Sequence, residues 1–121
     1  MTDADALARR VADALLAREG TGPAWGIEIE EAREGYARIR MKLRDDMLNG
    51  HKMAHGGMIF ALADTAFAYA CNSRNETTVA QSATVAFLAP ASAGEVLVAE
   101  AREASRSGRS GVYLVAVRTA D

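Results

Sequence analysis

The sequence predicts an α+β fold, with one long apolar helix packed on an antiparallel sheet, and three features carry that expectation. Two segments repeat apolar residues at helical spacing, several runs alternate at period two, and clusters of Gly, Pro, Asn and Ser separate them. With 121 residues the chain has the length of one domain, and residues 1–121 read as a single unit.

Leu7, Val11, Ala14 and Leu15 recur at helical spacing, with Asp3 or Asp5 as N-cap and Gly20 as a stop, so residues 4–18 are expected to form an amphipathic helix. Gly20-Thr21-Gly22-Pro23 breaks it. Ile27 and Ile29, then Tyr36, Arg38 and Arg40 against Ala37, Ile39 and Met41, alternate at period two, which predicts a hairpin turning between Glu31 and Gly35. Arg44 to Ala54 is polar and without period, and its Asn49-Gly50 pair marks a turn in a loop.

Met58 to Cys71 is apolar on every face except at Asp64, Thr65 and Tyr69, so a helix of about 57–72 should lie at the centre of the fold with protein all round it. The stretch is shorter than the roughly 20 apolar residues of a bilayer crossing and carries a carboxylate in its middle, which argues against a membrane span. Thr77–Leu88, Gly94–Glu103 and Gly111–Thr119 follow as three alternating or β-branched runs. Pro90 to Gly94 and Ser105 to Ser110 divide them, and the pattern predicts an antiparallel meander.

Composition narrows the function. Half of the residues are apolar, a quarter are charged and the formal charge is -2, so no overall basic field supports a nucleic-acid surface. Cys71 is the only cysteine, which rules out an intrachain disulfide and fits a reducing cytoplasm. The first twenty residues interleave charges with small apolar residues and do not read as a signal peptide.

The chemistry concentrates in Asn49-Gly50-His51-Lys52-Met53-Ala54-His55-Gly56-Gly57 and the helix that follows. Two glycines at a loop-to-helix junction allow a ligand close to the backbone, where unpaired N–H groups and the helix dipole favour an anion or a developing oxyanion. A bare Gly-Gly pair is equally a tight turn. Asp64 adds weight, because a carboxylate among Ile59, Phe60, Leu62 and Phe67 is expensive unless paired or set at a cleft or interface. It is either a structural carboxylate or a general base or nucleophile. His51 and His55 lack further metal ligands at suitable spacing, so no metal and no cofactor is implied. No serine lies in a Gly-x-Ser-x-Gly elbow, and Cys71 reads as a small core residue.

The run from Asn49 to Asn72, with His-Gly-Gly-Met-Ile-Phe-Ala-Leu-Ala-Asp-Thr-Ala inside it, resembles the hotdog-fold acyl-CoA thioesterases, and within them the branch that serves bacterial phenylacetate degradation. His-Gly-Gly alone is a weak signal; with the Asp eight residues after the first glycine it is a strong one. The resemblance implies a hotdog fold, a long central helix wrapped by an antiparallel sheet. It implies that Asp64 activates water or attacks the thioester carbonyl, that the Gly56 N–H polarises that carbonyl, and that Asn49 and His55 line the same pocket. Gly57, Ser82 and Thr84, with Gln81 beside them, fall near the substrate. Family members use facing protomers, so Asp64 of one subunit would work with the loop Asn49 to Gly57 of the other in a homodimer or homotetramer. They also bind the CoA nucleotide at the strand connection that here holds Arg102, Arg106, Gly108 and Arg109, where guanidinium groups suit phosphate. Family sheets generally end on a further strand, whereas this sequence stops at Asp121 just after Gly111–Thr119, so either the sequence lacks a tail or the sheet is short by one strand.

These features point to a cytoplasmic enzyme that hydrolyses phenylacetyl-CoA or its ring-hydroxylated derivatives. The alternatives are other aryl or medium-chain acyl-CoA esters, or an acyl-CoA-binding module without turnover, which would not need Asp64.

Overall fold

Thr2, and not the expected Asp3 or Asp5, caps the first helix by accepting a hydrogen bond from the Asp5 N–H, while Asp3 and Asp5 lie inside the first turn and place negative charge at its positive end. In a computed structural model that describes all of residues 1–121, helix α1 spans Asp3–Arg18 and closes at Glu19. The Gly20–Pro23 stretch does not simply break the chain. Thr21–Trp25 forms a one-turn helix, α2, because Pro23 suits an early helical position, and Gly26 ends it with φ +68°.

Strands β1 (Glu28–Arg33) and β2 (Tyr36–Lys42) form the expected hairpin. At its turn Gly35 has φ +70°, and a Cβ there would stand 2.8 Å from the Glu103 carboxylate, so only glycine fits. Strands β3 (Val96–Ser107) and β4 (Ser110–Thr119) complete an antiparallel sheet of order β1-β2-β3-β4. Ala37, Ile39 and Met41 pair with Ala101, Ala99 and Leu97, and all six are buried on the inner face. Arg38, Arg40, Glu100 and Arg102 alternate onto the outer face and form ion pairs there.

Helix α3 (Gly56–Cys71) lies across β2, β3 and β4, while α1 covers β1. Leu62, Ala66, Tyr69 and Ala70 enter the core, and the buried Tyr69 hydroxyl donates to the Glu19 carboxylate, tying α3 to the end of α1. Burial and that hydrogen bond raise the Tyr69 pKa far above its ordinary value, which keeps the phenol neutral. No helix is long and apolar enough to cross a membrane.

Two expectations are corrected. Helix α3 is not surrounded by protein: Gly57, Phe60 and Asp64, spaced three and four residues apart, form an exposed strip opposite the buried Leu62, Thr65 and Tyr69. A nearly all-apolar helix shows no pattern that separates a face covered by its own sheet from one left open. Thr77–Leu88 does not join the sheet as a strand either. It runs past it with Val79, Val85, Phe87 and Leu88 exposed, since alternation marks a strand only when a neighbouring edge receives it. Asn72 anchors its start, donating to Thr78 O at 3.0 Å and accepting from Thr78 N at 2.8 Å.

Candidate active site

The loop before α3 is built by Asn49. Its side-chain oxygen accepts from the N–H groups of His51 at 2.9 Å and Met53 at 3.1 Å, closing a tight turn in which Lys52 takes φ +60°. The Asn49 side-chain oxygen is thus tied to the loop, and its amide NH₂, for which no acceptor is present, is free to donate. His55 N donates to Met47 O and Ala54 N to Ala91 O, which pins the loop on both sides.

His55 is the N-cap of α3. Its Nδ1 accepts from the Gly57 N–H at 2.8 Å, which places the imidazole proton on Nε2. Four N–H groups open any helix without a partner in the preceding turn. Here Gly57 is taken by the His55 ring, and Met58 and Ile59 both donate to His55 O, at 2.9 and 3.2 Å. Gly56 is left: its N–H has no acceptor in the chain, at the end of the helix where the dipole is positive. The histidine in front of the Gly-Gly pair therefore selects which glycine offers a donor.

Asp64 is exposed on the open strip of α3 and makes no hydrogen bond or ion pair within the chain. It stands eight residues from Gly56, which is about 12 Å along the helix axis. One thioester carbonyl cannot touch both groups of the same helix. The sequence-predicted residues thus fall into two separate sets: Asn49, His55, Gly56 and Gly57 meet at the helix start, and Asp64 lies two turns away.

Ser82 and Thr84 sit on the exposed run 77–88 and make no hydrogen bond to these groups. Farther off, the β3–β4 hairpin turns at Gly108 with φ +58°. Arg106 there bonds Glu76 at 3.3 Å and Arg102 bonds Glu100 at 3.1 Å, while Arg109 forms no ion pair. Arg106, Gly108 and Arg109 share a cavity of about 50 Å³ with Cys71, Arg74 and Glu76. Cys71 is buried and its thiol is pushed up to about 11, chiefly by burial. No three His, Cys, Asp or Glu side chains come together in a set able to hold a metal ion.

One residue at the site has little sequence signal. The ring of Phe87 rests against Gly56, with two of its carbons 3.4 Å from where a Gly56 Cβ would be. Only its aromatic character at the end of an alternating run could have pointed to it.

The fold and this helix entrance define a hotdog thioesterase. The Thioesterase superfamily model matches residues 51–121, and the chain belongs to that family and is an acyl-CoA thioesterase. It is similar to the acyl-coenzyme A thioesterase PaaI of Escherichia coli K12, with 44% identity over 102 residues, 84% of this chain and 73% of that protein. The structure of E. coli PaaI, a protein of the phenylacetic acid degradation operon, superposes with a TM-score of 0.95 at 39% identity, covering 98% of this chain and 86% of that one. A mutant of the phenylacetic acid degradation protein PaaI from Thermus thermophilus gives 0.81 at 35% identity, over 84% of this chain and 88% of that one.

Proposed function

We propose that this chain hydrolyses phenylacetyl-CoA or its ring-hydroxylated derivatives in the cytoplasm, at a site shared between two copies of itself. The observation that carries the proposal is the Gly56 N–H, the one donor at the entrance of α3 without an acceptor, on a helix whose open strip presents Asp64. The names of its relatives supply the pathway, phenylacetic acid degradation, and the acyl group proposed is the one that pathway's acid would carry.

The Gly56 N–H receives the thioester oxygen and strengthens its hold as negative charge develops there. The Asp64 carboxylate takes a proton from water as the water oxygen attacks the carbonyl carbon, or attacks that carbon itself to form an anhydride that water opens. In both cases the C–S bond breaks, CoA leaves as its thiol and the acid is released. His55 holds the loop through its cap, and the free Asn49 amide orients the carbonyl or the water. Gly57 fits the backbone to the substrate, while Ser82 and Thr84 line the approach. Arg106, Gly108 and Arg109 form the surface on which the CoA phosphates lie.

The separation of about 12 Å between Gly56 and Asp64 supports a site completed by a second copy. When two α3 helices pack antiparallel along their open strips, Gly56 of each faces Asp64 of the other, and Phe60, midway between them, falls on the two-fold axis. The strip is then covered, and two identical sites form. A pair of such dimers gives the tetramer.

Asp64→Asn is nearly isosteric but can act neither as base nor as nucleophile. Thiol release from a panel of acyl-CoA esters should fall about 10²–10⁴-fold with the fold and CoA-ester binding retained. Wild-type turnover by that variant would refute the assignment, and a wild-type preference for a straight-chain ester would refute the acyl group.

A further inference from the structure

We infer that Phe87 is a specificity-determining residue that forms the aromatic wall of the acyl pocket, an inference that rests on the carbonyl site proposed at Gly56. The Gly56 N–H is free, and a carbonyl oxygen bound to it stands about 2.9 Å from the nitrogen. The Phe87 ring already lies against the same residue, with its edge 3.4 Å from the Gly56 Cβ position. The first carbons of any group attached to that carbonyl therefore come within van der Waals reach of the ring.

Phe87 is placed there by its neighbours. Four residues downstream, buried Ala91 accepts from the Ala54 N–H at 2.8 Å, which ties the run carrying Phe87 to the loop carrying Gly56. The ring is 57% exposed, so the face it turns away from Gly56 is open to a ligand. The two substituents of the thioester carbonyl differ in chemistry: the pantetheine arm is polar and must depart, whereas an arylacetyl group is flat and apolar. An exposed aromatic ring beside the oxygen site matches the aryl group, through an offset or edge contact as well as burial.

The experiment measures kcat/KM for phenylacetyl-CoA and hexanoyl-CoA with the wild-type protein, Phe87→Ala, Phe87→Leu and Phe87→Tyr. The ratio of phenylacetyl to hexanoyl turnover should fall about tenfold in Phe87→Ala, which corresponds to about 1.4 kcal/mol. It should fall less in Phe87→Leu and stay near wild type in Phe87→Tyr. An equal loss for both esters, or an unchanged ratio in folded Phe87→Ala or Phe87→Leu, would overturn the inference by showing a packing role alone. Wild-type protein that cleaves neither ester would instead overturn the proposed reaction.

Discussion

Replacing Gly56 by proline would delete a single hydrogen-bond donor and disturb little else. Gly56 is the first residue of α3, a position that proline favours because its fixed φ suits the helix and the missing N–H has no partner in the helix. His55 in front of it already has φ -63° and ψ 132°, the extended conformation that a following proline demands. The nearest atoms to a Cβ at Gly56 belong to the Phe87 ring, at the edge of ordinary contact. No hydrogen bond of the chain is lost, since the Gly56 N–H makes none. Gly56→Pro should melt within a few degrees of wild type, yet lose about 10²–10³-fold in kcat, or about 2.7–4 kcal/mol, if that N–H holds the oxyanion. Circular dichroism would follow the melt and a chromogenic disulfide the released CoA thiol. A folded Gly56→Pro protein with wild-type kcat would refute the reasoning and place the donor elsewhere.

Other variants test the assembly, the nucleotide surface and the remaining thiol. Phe60→Lys would bring two ammonium groups together at the proposed two-fold axis, where like charges cost several kcal/mol, so it should yield a monomer without turnover. A dimer of wild-type activity by light scattering and thiol release would contradict the shared site. Arg106→Ala combined with Arg109→Ala should raise KM for the CoA ester with kcat nearly unchanged, because a phosphate contact is the same in ground and transition states. That rise should shrink with added salt, and an unchanged KM at low salt would remove the phosphates from this hairpin. Cys71, with its thiol pushed up to about 11, should resist the chromogenic disulfide in the native protein at about pH 8, where only about one molecule in a thousand carries a thiolate. Rapid labelling of native protein would show that the buried end of α3 opens.

Much of this protein was legible from residue order alone, because local physics acts on neighbours in the chain. The charges and apolar period of the first helix marked it, although its cap is Thr2 and not Asp3 or Asp5, and the Tyr36 to Met41 alternation put Ala37, Ile39 and Met41 on the inner face where they are found. The Gly-Gly pair whose first glycine stands eight residues before Asp64 marked the helix entrance and its carboxylate. What the sequence could not decide depends on groups distant in the chain or on competition for one partner. Thr77–Leu88 alternates like a strand, but whether it pairs depends on a sheet edge that its own residues do not specify. The nearly all-apolar α3 gave no clue that Phe60 would lie uncovered beside Asp64, since only the placement of β2, β3 and β4 beneath Leu62 and Tyr69 defines the open side. By spacing and residue type the two glycines were equivalent, and only the family resemblance singled out Gly56. The physical reason appears in three dimensions, where the His55 ring and carbonyl take the next three N–H groups and leave that of Gly56 without an acceptor.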